Sequence, residues 1–202
     1  MDACQTGAMP LAADSPNAIA TLRIELYDTD PLIWRQVEIP TGITLKQLHD
    51  VVQAAMDWDD QHLWELRQDK HRFSRTSAGK TRLFEILKPR KTVLDYTYDF
   101  GDSWDHRLTL TDVRPGDPKT AYPRYVAGEN AAPPEDCGGV PGFYTGLEAL
   151  ADPAHPDHEY YAEWFEGFDL AALDEPALAA ALARLARRLG PAKATTARKA
   201  KG

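Results

Sequence analysis

The stretch YDFGDSWDH, residues 98–106, places three aspartates, a histidine and a tryptophan within nine positions. It reads as a metal site, as half of a catalytic dyad, or as a tight hairpin, and its flanks decide among them. TVLDYTYDF before the loop and WDHRLTLTDV after it both alternate with period two. Leu94, Tyr96, Tyr98 and Phe100 therefore share one face, and Trp104, His106, Leu108 and Leu110 share one face of the next strand. Pairing Phe100 with Trp104 across a three-residue loop brings the apolar faces together and sets Tyr98 opposite His106. A one-residue slip would set Ser103, Asp105, Arg107 and Thr109 against the aromatics. On the other face this register opposes Asp99 to Asp105, a repulsion that Arg107 or a cation must relieve. Asp99 and His106 then point to different sides of the sheet, although metal ligands must converge to within about 2.0–2.2 Å of one ion.

Working outward, ATLRIELY (20–27) and IWRQVEI (33–39) alternate likewise around the turn-forming DTDPL, which predicts a second hairpin with Leu22, Ile24 and Leu26 on one face. TLKQLHDVVQAAM opens with Thr44 and Gln47 at capping-box spacing and repeats Leu45, Leu48, Val52, Ala55 and Met56 at helical intervals. HLWELR (62–67) reads as a strand, DKHRFSRTSAGK (69–80) as an exposed loop, and LFEIL as a brief helical turn. From about Arg114 to Gly142 the chain is dense in proline and glycine and has no period, an unusual length for a connection inside a compact domain. Helical segments are expected near 143–151 and 157–166. A last helix opens at Asp174-Glu175-Pro176, carries Leu178, Leu182, Leu185 and Leu189 on one stripe, and stops at Gly190-Pro191. The pattern predicts an α+β fold, with a mixed or antiparallel sheet of about five strands, helices packed on it, and a long Pro/Gly-rich loop.

A chain of 202 residues, 43% of them hydrophobic, buries roughly 70% of its unfolded surface, enough for one well-cored domain. The expected organisation is a disordered leader over 1–18, one domain over 19–190, and a basic disordered tail over 191–202. No run of eighteen apolar residues spans a bilayer and the N-terminus lacks a signal-peptide pattern, so the expectation is a soluble, cytoplasmic protein without membrane partners. Cys4 and Cys137 provide no disulfide framework, in keeping with a reducing compartment. The net charge is −8, yet Arg184, Arg187, Arg188, Lys193, Arg198, Lys199 and Lys201 follow Glu175 with no acid among them. The body is thus more acidic than the total suggests, and repels phosphate backbones, while the tail can make weak nucleic-acid contacts.

Two polar constellations carry whatever chemistry the chain has. The first is the hairpin, with His106 supported by His49 at the border of the first helix's apolar stripe and by His62, which shares a face with Trp64 and Leu66. These three histidines face one core, either as ligands or as core-edge groups bonded to carbonyls and hydroxyls. The second is PPEDCGG (133–139), where prolines stiffen the approach, glycines permit positive φ, and Glu135, Asp136 and Cys137 are held between them. Rigidly presented acids suit a site, and they equally suit an Asx-turn or a helix cap. A cysteine nucleophile would need a base within hydrogen-bond reach.

PLIWRQVEIP (31–40), LKQLHDVVQAAMDWDDQHL (45–63), YDFGDSWDH (98–106), YPRYVAGENAAPPEDCGG (122–139) and LADPAHPDHEYY (150–161) occur together in this order. The combination resembles the plasmid pRiA4b ORF-3-like family over roughly residues 20–170. The resemblance implies an α+β fold with a mixed or antiparallel sheet, a setting on plasmids, transposable elements and chromosomes, and no particular reaction. Relatives carry cysteines where Tyr125 and Ala132 stand here, so a thiolate cluster is reduced to Cys137. Some relatives are linked to transposon resolution, but the acidic motifs here do not supply the arginine-surrounded nucleophile that recombinase chemistry needs.

The leading expectation is a non-enzymatic binding or accessory protein of plasmid or mobile-element type. Its recognition face would include Asp99, Asp102, Trp104, Asp105, Glu135 and Asp136, and its partner would be a protein or small ligand. The alternative is a metal-dependent hydrolase, in one form a nuclease, binding a divalent metal through Asp102, His106, Glu135 and Asp136 with His49 or His62.

Overall fold

Period-two alternation builds one sheet of seven strands. In the computed structural model, which describes residues 18–190, the strands are β1 (Ala18–Leu26), β2 (Trp34–Pro40), β3 (Trp64–Gln68), β4 (His71–Phe73), β5 (Thr92–Tyr98), β6 (Trp104–Pro115) and β7 (Arg124–Glu129). Their order is β4-β3-β5-β6-β1-β2-β7, and every neighbouring pair is antiparallel. The sheet is thus antiparallel and larger than the five strands expected. The leader and tail expectations fall outside the described residues, except that Ala18 is the first residue of β1.

The helices are α1 (Leu45–Met56), α2 (Arg75–Ala78), α3 (Gly139–Ala151), α4 (His158–Trp164) and α5 (Glu175–Leu189). Thr44 and Gln47 form the capping box at the start of α1, and Asp174 caps α5, with Pro176 in its first turn. Leu45, Leu48, Val52, Ala55 and Met56 of α1 lie against Leu22, Ile24 and Leu26 of β1 and the inner faces of β5 and β6 in one core. Helix α5 packs on both α1 and β7, burying Leu178, Leu182 and Leu185. Phe143 of α3 meets Phe165 and Phe168 at ring distances of 6.1 and 5.7 Å, which anchors the chain before α5. Among the described residues no helix is long and apolar enough to cross a membrane.

Three expectations change. Residues 69–80 are not a plain loop, because β4 pairs with β3 and Ser74 caps the short α2. The 114–142 connection contains β7, which pairs with β2 through a register shift at Gln36/Val37. As an edge strand with no fully buried side chain, β7 has little alternation to betray it. The third change is the hairpin register. Tyr98 pairs with Trp104 and Tyr96 with His106, two residues from the expected alignment. Faces repeat every two residues, so a two-residue shift keeps Tyr96, Tyr98 and Trp104 inward, and alternation cannot distinguish the two registers. The turn decides between them. Asp99 and Ser103 both adopt left-handed φ, 52° and 54°, and close a wider loop through the Ser103 amide on the Asp99 carbonyl (2.6 Å). Phe100 is consequently 53% exposed while Trp104 is fully buried. Asp105 opposes Thr97, whose hydroxyl donates to it at 2.5 Å, and Arg107 opposes Asp95, so the expected clash of Asp99 with Asp105 does not arise.

Candidate functional site

Helix α1 ends at Asp57 in a left-handed conformation, and the turn that follows, Asp57-Trp-Asp-Asp60, draws the sequence motifs together. Trp58 goes inward, stacks on Tyr98 at 5.3 Å, and donates its indole N–H to the Pro133 carbonyl at 2.9 Å. The Asp59 amide donates to Glu135 Oε2 (2.9 Å), and the Tyr98 hydroxyl donates to Glu135 Oε1 (2.5 Å). Burial, reinforced by that bond to Glu135, pushes the Tyr98 hydroxyl far above its usual range and keeps it a neutral donor. Asp102 Oδ2 accepts from the Gly138 amide at 3.1 Å. Gly139, at φ +66°, lies so close that a Cβ there would sit 2.2 Å from the Asp102 carbonyl oxygen. The glycines of PPEDCGG thus permit contact with the hairpin tip.

The histidines separate. His106 is fully buried, its Nδ1 is 3.0 Å from the Trp104 carbonyl, and burial pushes its pKa down to about 4. It is a neutral core group, edge-on to Trp58 at 5.4 Å. His49, also buried, stacks on Trp64 at 4.2 Å. Its Nδ1 lies 2.8 Å from the Tyr96 hydroxyl and its Nε2 2.8 Å from Asp60 Oδ1. Gln53 donates to the same hydroxyl at 3.0 Å and accepts from the Asp60 amide at 3.0 Å. The pattern assigns Nε2–H to His49 and closes a ring running Gln53, Tyr96, His49, Asp60 and back to Gln53. Burial drives the pKa of Tyr96 up and outweighs Asp60 to lower that of His49. The Asp–His–Tyr order imitates a relay, but its hydroxyl is sealed from any substrate.

His62 lies elsewhere, with Nε2 2.9 Å from Asp136 Oδ1 and Nδ1 3.7 Å from Asp99 Oδ2. One ligand atom from each of His62, Asp99 and Asp136 falls within 4.8 Å of the others. Of the six residues expected to bind a metal, the structure brings His62 and Asp136 into this group, joined by Asp99 of the expected recognition face. Asp102, Glu135, His49 and His106 lie outside it, each in its own hydrogen bonds. Trp104 is core rather than surface, and Asp105 is on the outer sheet face. Cys137 is buried, and burial with the nearby Asp102 charge pushes its thiol up to about 12, which removes it as a nucleophile at neutral pH.

Beside this junction opens a cleft of about 440 Å³, between the turn after α1, residues 131–135, and residues 168–178. The Ala131 amide donates to the Leu170 carbonyl at 2.7 Å and joins two of its walls. Arg35 lines it while only 1% exposed, and so forms its floor. Its Nε donates to the Ala55 carbonyl at 3.0 Å, and Nη1 to the Trp34 and Glu129 carbonyls at 2.8 and 3.0 Å. Arg35 has no carboxylate ion pair and Nη2 no hydrogen-bond partner among the described residues. Burial pushes its pKa down to about 10 against the pull of Tyr125 and Asp57, leaving it charged at neutral pH. Sequence reasoning passed over Arg35, although its signal was present: it stands in phase with Ile33, Val37 and Ile39, the buried side of β2.

An α+β domain of one antiparallel sheet, with three sequence motifs joined at the end of its first helix, defines the class. The family model for plasmid pRiA4b ORF-3-like protein matches residues 18–177, and the chain belongs to that family. It is 34% identical over 164 residues to the uncharacterized protein y4hQ of Sinorhizobium fredii, covering 73% of this chain and 80% of that one. It is also similar to the crystal structure of MM3350, a protein of unknown function from Methanosarcina mazei Go1, with TM-score 0.73 and 31% identity over 79% of this chain and 96% of that one.

Proposed function

We propose that this protein is a non-enzymatic binding protein that takes a small ligand in the cleft over Arg35. One observation carries the reading: a buried, charged guanidinium with an uncommitted Nη2 forms the floor of a cleft of about 440 Å³, within the size range of small-molecule sites. Burying an arginine without a carboxylate partner is costly, and a ligand that completes its hydrogen bonds recovers that cost. The junction beside the cleft lacks a reactive nucleophile, since Cys137 is held as a thiol and the Tyr96 hydroxyl is sealed. An accessory role on a mobile element is supported by the family's name alone. Thermal-shift screening against a metabolite library tests the reading, with Ala132→Trp filling the cleft. Stabilising ligands lost in Ala132→Trp are expected, and ligands that stabilise both proteins equally would sink the cleft as the site.

The second reading, metal-assisted hydrolysis, is favoured by the grouping of His62, Asp99 and Asp136. The two nitrogens of His62 face different carboxylates, so an ion there uses one nitrogen and leaves the other beside its own carboxylate. Elemental analysis of protein purified without chelator, beside His62→Ala, decides it: a stoichiometric metal lost in the variant supports this reading, and its absence from both retires it.

A further inference from the structure

The charges that the cleft leaves uncommitted specify what it binds. Four acids line it, two of them already engaged: Glu135 accepts from Tyr98 and Asp59, and the Asp174 carboxylate caps the Ala177 amide. Asp57 and Asp59 are exposed on the rim, and their carboxylates have no hydrogen bond or ion pair among the described residues. What remains is one cationic fork at the bottom and, at the mouth, two carboxylates without a hydrogen bond or ion pair among the described residues, of which Asp57 is near enough to act on Arg35 through space. Met56, Trp58, Phe168 and Leu178 supply apolar wall between them.

A simple anion such as phosphate would satisfy Arg35 and be repelled by the rim. A simple cation would satisfy the rim and meet Arg35 inside. From this arrangement, and resting on the cleft reading above, we infer that the ligand is a small zwitterion, a free α-amino acid with an apolar side chain. Its carboxylate accepts from Arg35 Nη2, its ammonium faces Asp57 and Asp59, and its side chain lies on the apolar wall. Arginine suits the inner role because its planar fork keeps Nε and Nη1 on backbone carbonyls while Nη2 has no hydrogen-bond partner among the described residues and is left for the ligand. The match is specific because either end of the ligand alone leaves a charge unpaired.

Calorimetric titration of the full chain tests it with L-phenylalanine and L-leucine as probes, beside N-acetyl-L-phenylalanine, which lacks the ammonium, and L-phenylalanine amide, which lacks the carboxylate. Saturable binding of at least one free amino acid is expected, with its two blocked analogues at least about tenfold weaker. The double variant Asp57→Asn, Asp59→Asn, on exposed residues, is expected to stay folded and to lose at least about tenfold in affinity. Arg35→Lys, which keeps the charge and removes the fork, is expected to abolish binding. Should that variant fail to fold, the analogues and the rim variant carry the test. No saturation by either amino acid up to about 10 mM overturns the inference. So does equal binding of the N-acetyl analogue, which would indicate a peptide C-terminus, or an unchanged rim variant. A library ligand of another charge type that Ala132→Trp displaces would leave the cleft reading standing and sink this one.

Discussion

The ring through Tyr96 and the cleft over Arg35 are both attached to the last turns of α1, yet they end in opposite states. In the ring each residue meets the next: Gln53 donates to Tyr96, Tyr96 reaches His49, His49 reaches Asp60, and the Asp60 amide returns to Gln53. At the cleft, Arg35 spends Nε and Nη1 on backbone carbonyls and keeps Nη2 without a hydrogen-bond partner among the described residues. A closed polar network holds a fold together. An open one of similar burial is where a ligand can add something. The difference teaches that ionisable residues alone do not mark a site. His49, His106 and Asp60 look more like catalytic machinery than Arg35 does, but their bonding is complete or their access is shut.

The comparison can be broken most forcefully at the aromatic wall behind both regions. Trp104, fully buried against Trp58 at 5.6 Å, should cost about 3–5 kcal/mol when replaced by alanine, measured by urea denaturation. A nearly neutral outcome would mean that the wall is not what supports the junction. Acidification is the next largest effect. His106 is neutral in the fold, with a pKa of about 4 against 6.5 when unfolded, so the unfolded chain gains the proton first. Stability is complete above pH 6.5 and declines as pH falls toward 4, by about 3 kcal/mol for this group. His49, also lowered, acts in the same direction. His106→Leu should flatten the profile over that window, and an unaltered slope would show that the histidine is not the cause.

Tyr96→Phe opens the ring while keeping its shape. It strips His49 Nδ1 and the Gln53 amide of their partner, at an expected cost of about 1–3 kcal/mol. The same variant should leave ligand affinity at the cleft untouched, which sharpens the distinction between the regions. The smallest effect belongs to the rim. Asp59→Asn should change stability by no more than about 0.5 kcal/mol while weakening the ligand. A rim variant that destabilises the domain as much as Tyr96→Phe would erase the contrast.

Much of the scaffold was legible because it repeats. Leu22, Ile24 and Leu26 announced β1, Thr44 and Gln47 announced the start of α1, and the leucine stripe with Asp174 announced α5. The inward faces of β5 and β6 were also legible, but their register was not, since two alignments share those faces and only the φ values of Asp99 and Ser103 separate them. The edge strand β7 buries too little to show a pattern. At the site, the motifs were visible one at a time. Their meeting was not, because the contacts of Trp58 with Pro133 and of Asp102 with Gly138 join distant parts of the chain that carry no common signal. Arg35 was legible in principle, as a charge in phase with three buried aliphatics, but alternation alone does not separate a buried arginine from a charge that ends the apolar side of a strand.

The contact of Gly139 with the Asp102 carbonyl has a consequence in heredity. A side chain at 139 would occupy the space of the backbone at the hairpin tip, and no change at position 102 can make room, because the obstruction is a main-chain oxygen that every amino acid carries. Drift at this point therefore has no compensating partner: a lineage that loses the glycine must rebuild the turn, by insertion or deletion, rather than repair it by a second substitution.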